Sequence, residues 1–266
     1  MYKAYKINVD SCFEKMLRQT STKFSKKLID IHRIISSIKL KKKLSAMIEN
    51  SSIGEGDLSA DSIWGDWFPE VQADVFISHS SKDADLAKSF AVWLKSNFNL
   101  TSFIDSEIWG HSDALLKKID DEFCPHPNGT SYSYELRNGS TAHVHMMLSY
   151  ALTRMIDKTE CFVFLESDNS VTANDSISGT YSPWIFHELA TVDTIEPKIE
   201  RQMVKVANYS QKHFSEGKAL KVKYPIWGKR LTEVDINFIF KWHNSYKKMG
   251  CEHALDVLYN LTKTGD

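Results

Sequence analysis

Trp184 and Glu188 stand four residues apart in the stretch Tyr181-Ser-Pro-Trp-Ile-Phe-His-Glu-Leu-Ala190. Ser182 followed by Pro183 reads as a helix start. The hydroxyl can cap orphan N–H groups, and proline suits the first helical position, where no N–H is needed. Residues four apart share a helix face, so the ring and the carboxylate lie together near the beginning of that helix. An aromatic plate beside a carboxylate can hold a flat cationic ring and stabilise positive charge next to it. Taken alone, the stretch favours a plainer account, in which Trp184 and Leu189 pack on a sheet and Glu188 is a solvated first-turn acid. Other polar groups shift that balance if the fold gathers them: Ser78, His79 and Ser80, then Asp105, then Glu166 to Asp168.

The elements that must position these residues show as a change of texture from residue 73. Ala73-Asp-Val-Phe-Ile-Ser78 is a short apolar run, as expected of a strand buried on both faces. Asp83 is a candidate cap for a helix over 84–98, with an apolar stripe of Leu86, Phe90, Trp93, Leu94 and Phe98. Thr101–Asp105 reads as a second strand, and Gly110 falls in the loop after it. A helix through Leu115, Leu116 and Ile119 follows, then a helix over Met146–Ile156. Cys161–Leu165 is the clearest strand. The helix opened by Ser182 runs to about Ile195. Ala219–Ile226 and Phe238–Lys241 are further strand candidates, with a last helix over about 251–262. This alternation predicts an α/β fold with a five-stranded parallel sheet between helical layers. In such sheets ligands sit beyond the carboxyl ends of the strands, the edge that collects the polar residues named above.

Residues 124–145 break the alternation. Asn128-Gly129 and Asn138-Gly139 flank Thr130–Arg137, which reads as an inserted loop with a short hairpin. The segment holds Cys124, His126, His143 and His145. His-x-His on a strand would aim both rings one way, but no second cluster matches it, so no metal site is predicted.

Composition is that of a globular protein, 42% hydrophobic and 25% charged, with a formal net charge of −1. That balance hides an asymmetry. Residues 1–50 hold twelve Lys and Arg against four Asp and Glu, which leaves an acidic remainder. Phe24, Leu28, Ile31, Ile35 and Ile38 recur at spacings of four and three, on one face of a helix. Residues 1–70 therefore read as a basic helical extension and a Gly/Ser/Asp-rich linker, ahead of a main domain over 71–266. The apolar stripe suits packing or self-association, and no aromatics interleave with the lysines as nucleic-acid binding would favour. Gly54 and Gly56 make no phosphate loop. The four cysteines are scattered without a CxxC. With no signal peptide or spanning segment predicted, the expected compartment is the cytoplasm.

The residues resemble a known family. Asp74-Val-Phe-Ile-Ser-His-Ser-Ser-Lys-Asp83 resembles the first strand and loop of TIR (Toll/interleukin-1 receptor homology) domains. Phe103-Ile-Asp-Ser-Glu107 with Gly110 resembles their second strand and following loop, and Cys161–Leu165 their third strand. Ser182-Pro-Trp-Ile-Phe-His-Glu-Leu189 resembles the Trp-x-x-x-Glu helix of members that cleave NAD+. The resemblance covers about residues 72–262, and the chain looks like a bacterial TIR protein of the anti-phage type. It implies a flavodoxin-like sheet of order 2-1-3-4-5, with NAD+ as a substrate and no cofactor. By match to the motif, Glu188 takes the place of the catalytic glutamate and Trp184 that of the stacking aromatic. Ser78, His79 and Ser80 match the pocket-lining loop, and Asp105 and Trp109 fall where the loop after strand two meets the nucleotide. The product is expected to be nicotinamide with linear or cyclic ADP-ribose. The implied partners are further copies of the chain and an activating or effector protein. The 124–145 segment departs from the family pattern.

Two other functions are compatible with the residues. Many TIR domains are non-enzymatic, self-associating adaptors, which would not need the tryptophan–glutamate pair. A serine hydrolase using Ser78 or Ser80 with His79 or His187 lacks the Gly-x-Ser-x-Gly elbow.

Overall fold

A computed structural model of the 266-residue chain describes residues 1–18, 52–53, 57–58, 67–109, 112–126, 131–171, 179–198, 223–225, 229–250 and 253–263. Five parallel strands form one sheet: β1 (Lys3–Asn8), β2 (Val75–Ser78), β3 (Ser102–Phe103), β4 (Cys161–Glu166) and β5 (Leu231–Val234). Their spatial order is β3-β2-β4-β1-β5. The helices are α1 (residues 11–18), α2 (Ala84–Phe98), the single turn α3 (Asp105–Ile108), α4 (Ser112–Phe123), α5 (Tyr134–Lys158), α6 (Pro183–Thr194), α7 (Ile236–Met249) and α8 (Ala254–Lys263).

Side-chain alternation divides the strands between two cores. Val75, Ile77, Cys161, Val163 and Leu165 point to the face covered by α1, α2, α7 and α8. Phe76, Phe162 and Phe164 point to the other, covered by α4, α5 and α6. With helices on both sides, β4 can be apolar at every position up to Glu166, which explains its continuous run. The result is a three-layer α/β architecture. No helix among the described residues is long and apolar enough to cross a membrane.

Three expectations are corrected. The first concerns the amino terminus. Residues 3–8 are not part of a separate extension but a strand, paired with β4 from Lys3↔Cys161 to Asn8↔Glu166 and with β5 on its other side. Lys3 and Lys6 interrupt its apolar residues, so it lacks the unbroken apolar texture of β4. The stripe from Phe24 to Ile38 lies outside the described residues. From the linker, Ser52–Ile53 pairs antiparallel with Asp57–Leu58.

The second concerns the last strands. Tyr224–Pro225 pairs with Gly179–Thr180 in a separate two-stranded ribbon against α6. Phe238–Lys241 lies inside α7, which Asp235 caps by accepting the Phe238 N–H at 2.8 Å. The fifth strand is Leu231–Val234 instead. The expected order 2-1-3-4-5 is therefore not observed: numbered along the chain the sheet runs 3-2-4-1-5, because the amino-terminal β1 takes the place between β4 and β5.

The third concerns residues 124–145. Only the first part is hairpin-like, closed by a Pro125–Tyr132 bridge and by the Ser133 N–H donating to the Cys124 carbonyl at 2.8 Å. Asn138-Gly139 sits inside the 25-residue α5. Burial of Ser140, Val144, Leu148, Ala151, Leu152, Met155 and Ile156 along one side overrides the turn preference of Asn-Gly. His143 and His145 are consequently two apart on a helix, which directs them to different sides.

Candidate functional site

The carboxyl end of β2 and the first turns of α6 meet around one buried acid. α6 starts as the residue types dictate: Ser182 Oγ accepts the Ile185 N–H at 3.2 Å, and Pro183 occupies the first turn. Ile185, Leu189 and Val192 anchor the helix in the core. Glu188 is carried inward with them and is 4% exposed. Ser78, the last residue of β2, is 1% exposed and donates its hydroxyl to Glu188 Oε2 at 2.5 Å. Alternation along β2 makes this contact possible. Phe76 and Ser78 share the α6 side of the sheet, so a hydroxyl replaces an apolar group where the helix brings its acid.

Asp105 enters the same neighbourhood from β3. The pairing Val75↔Ser102 and Phe76↔Phe103 ends at Phe103, and Asp105 opens the turn α3 just beyond the carboxyl end of β3. Burial pushes the Glu188 carboxyl well above the usual glutamate range, the charge of Asp105 adds to that, and the Ser78 hydroxyl opposes it. A buried carboxyl in this state holds a proton more tightly than an exposed one and becomes a strong charge stabiliser when it ionises in a dry environment.

The remaining expected site residues divide. Trp184, one turn before Glu188, is half-buried and meets His145 of α5 edge-on, with ring centroids 5.3 Å apart. His79 follows Ser78 at the strand end, half-buried, with Nδ1 3.4 Å from the Ile77 carbonyl oxygen. Ser80 is buried and its carbonyl accepts the Asp83 N–H at 2.8 Å. Trp109 does not join them. It is 2% exposed, packs against Phe68 and Phe103, and donates its indole N–H to the Pro69 carbonyl at 3.0 Å. An indole so enclosed is a core residue and offers no face to a ligand. His187 turns away from Glu188 and donates Nε2–H to the Ser149 carbonyl of α5 at 3.0 Å. Burial holds its imidazole below the ordinary histidine range. Neither it nor Ser78 is placed as a hydrolase pair.

Two supports were not evident from the residues. Asp83 does not cap α2 with its side chain. Its carboxylate accepts Ser167 Oγ at 2.5 Å and Asn169 Nδ2 at 2.7 Å, tying the loop after β2 to the loop after β4. α3, which carries Asp105, is held by a 2.9 Å ion pair between Glu107 and Lys88 of α2. Polar residues at matched strand ends were the available signal, but the pairings depend on strand order. No group of three or more His, Cys, Asp or Glu able to hold a metal occurs among the described residues. Cys124 instead directs its thiol to Ser140.

Fold and site together define a three-layer α/β protein with a buried glutamic acid at the carboxyl edge of a parallel sheet. Comparison with protein-family models, curated proteins and solved structures finds no match to this chain.

Proposed function

We propose that this chain is a TIR-type enzyme that cleaves the nicotinamide–ribose bond of NAD+, with Glu188 as the catalytic carboxylate. The observation that carries the proposal is Glu188 itself: an acid 4% exposed, held by Ser78 at the carboxyl edge, with an aromatic ring one helical turn away. Nicotinamide in NAD+ is a flat cation, and loss of it leaves positive charge on the ribose. A desolvated carboxylate stabilises that charge as carboxylates do in glycoside cleavage. Trp184 supplies the stacking surface, and Ser78, His79, Ser80 and Asp105 line the cleft. Water attack gives ADP-ribose, and attack from within the molecule gives a cyclic product. A cytoplasmic role in anti-phage defence, as a homo-oligomer with an activating or effector protein and no membrane or nucleic-acid partner, completes the proposal.

The test is incubation of purified protein with NAD+ alongside Glu188→Gln. NAD+ loss in the wild type and none in the variant supports the assignment, and equal loss in both refutes it. One observation favours a second reading, a non-enzymatic TIR scaffold. Both Ser78 and Glu188 are covered, so a dinucleotide can reach them only if the cleft opens. Intact NAD+ in every assay, together with concentration-dependent assembly by light scattering, is the result that selects the scaffold.

A further inference from the structure

On the face of the sheet that carries Ser78, cover changes along one row of paired residues. Ser78 of β2 pairs with Phe164 of β4, Phe164 with Lys6 of β1, and Lys6 with Glu233 of β5. Side chains in register across neighbouring strands point to the same face, so these four stand side by side. Neighbouring strands lie about 4.8 Å apart, which puts the backbone of Lys6 about 10 Å from that of Ser78. The row is closed at its Ser78 end and open at the other. Ser78 and Phe164 are buried, and Phe103 with Trp109 closes the face towards β3. Ala4, one pleat before Lys6, is buried as well. The side chains of Lys6, Glu166 and Glu233 are 26%, 24% and 69% exposed. An interior strand thus reaches solvent on this face at a charged residue. Lys6 Nζ lies 2.7 Å from Glu166 Oε2 and 3.4 Å from Glu233 Oε1, one ammonium between two carboxylates. The group carries a net negative charge, and the ammonium holds Glu166 in place. A carboxylate fixed at the end of a parallel strand accepts hydrogen bonds from a ribose diol and disfavours a phosphate in the same position.

Resting on the NAD+ reading above, we propose that Glu166, held by Lys6 with Glu233 beside it, is the subsite for the adenosine ribose of the dinucleotide and excludes a 2′-phosphate. With the nicotinamide ribose at Glu188, the diphosphate bridge carries the second ribose away from the closed end of the row. The direction in which the face opens leads to Lys6 and Glu166. The 2′ and 3′ hydroxyls donate to the Glu166 carboxylate. A phosphate on the 2′ oxygen removes one of those donors and sets a dianion against two carboxylates that share a single cation. The substrate class is then a dinucleotide with both adenosine-ribose hydroxyls free.

Calorimetric titration of the full chain with ADP-ribose, and with ADP-ribose phosphorylated at the adenosine 2′ position, tests the subsite without any cleavage. The wild type should bind the unphosphorylated ligand at least about tenfold more tightly, and Glu166→Gln should bring the two within about threefold. Glu233→Gln changes a mostly exposed side chain, which keeps the test open should Glu166→Gln fail to fold, and it should narrow the ratio in the same direction. Lys6→Met removes the cation and should widen it. A loss of fold or of general binding capacity would move both ligands together and leave the ratio in place. Equal affinity for the two ligands in the wild type, an unchanged ratio in the glutamine variants, or no binding of ADP-ribose overturns the subsite. The two readings separate cleanly. Selective binding of ADP-ribose with NAD+ left intact overturns the cleavage reading and keeps the subsite. NAD+ cleavage that is lost in Glu188→Gln, with wild-type selectivity in both glutamine variants, overturns the subsite and keeps the cleavage reading.

Discussion

The two faces of the sheet are built to different ends. The face under α1, α2, α7 and α8 is closed with aromatic rings: Phe13 against Phe90, Phe90 stacked with Trp93, and Phe98 stacked with Trp242 at 4.0 Å. Polar atoms on this face sit at the ends of rings: the Trp242 indole N–H donates to the Ala254 carbonyl at 2.8 Å, and the Tyr5 hydroxyl lies 3.1 Å from Thr262 Oγ1. The face under α4, α5 and α6 begins in the same way, with Phe76, Phe103 and Phe162 in contact, but ends in Ser78 and Glu188. One strand, β2, serves both: Val75 and Ile77 on the first, Phe76 and Ser78 on the second. The first face maximises apolar burial. The second gives up stability at its carboxyl end to hold an acid out of water, as sites that carry out chemistry commonly do.

The largest break in this comparison comes from β1, which contributes to both faces. A chain lacking residues 1–9 loses a strand with neighbours on either side, together with Tyr5, Ile7 and Ala4 from the cores. It should show no cooperative thermal transition by circular dichroism. A sharp transition near that of the full chain would refute the integral role of β1.

Next in size, Trp242→Ala on the apolar face should cost about 3–5 kcal/mol, the range for removing a large buried aromatic. Chemical denaturation reads this directly, and a loss below 1 kcal/mol would mean that the first face is not the stability-bearing one.

On the second face the sign reverses. The folded chain holds the Glu188 proton to higher pH than the unfolded chain, whose glutamates ionise near pH 4.3. The unfolded state therefore binds fewer protons as pH rises above that value, and the contribution of Glu188 falls until the folded-state value is passed. Glu188→Gln should have little effect at pH 4 and stabilise the protein at pH 8 by about 1–2 kcal/mol, within the range for uncompensated buried polar groups. Thermal melts at the two pH values measure the difference, and a variant less stable at pH 8 would contradict it.

The smallest effect sharpens the account of α5. Gly139 sits in a helix, and a Cβ there meets nothing within 4 Å. Gly139→Ala should stabilise by up to about 1 kcal/mol through helix propensity. Destabilisation would indicate that the backbone there is not helical.

Much of the fold was legible because burial on both faces writes itself into the residues. Cys161 to Leu165 could be little else than a central strand, and the stripe of α2 needed only the 3.6 period. The Ser182-Pro183 start was equally direct, because capping is a local interaction. What was not legible depended on distant partners. β1 has a short apolar pattern interrupted by Lys3 and Lys6, which becomes an interior strand only beside β4 and β5. Asn138-Gly139 has turn chemistry that loses to the burial of α5. Trp109 falls at the expected sequence position but is drawn into the core by Phe68, Phe103 and the Pro69 carbonyl.

The candidate site divides along the same line. From the sequence alone came the helix start, the four-residue spacing of Trp184 and Glu188 and the polar residues at strand ends, all products of short-range geometry. Only the tertiary structure decided that Glu188 is buried, that Ser78 is its hydrogen-bond partner and that the charge of Asp105 acts on it. Those facts require α6 to be brought to β2 and β3 from about eighty to a hundred and ten residues further along the chain, and such contacts are set by strand order and core packing.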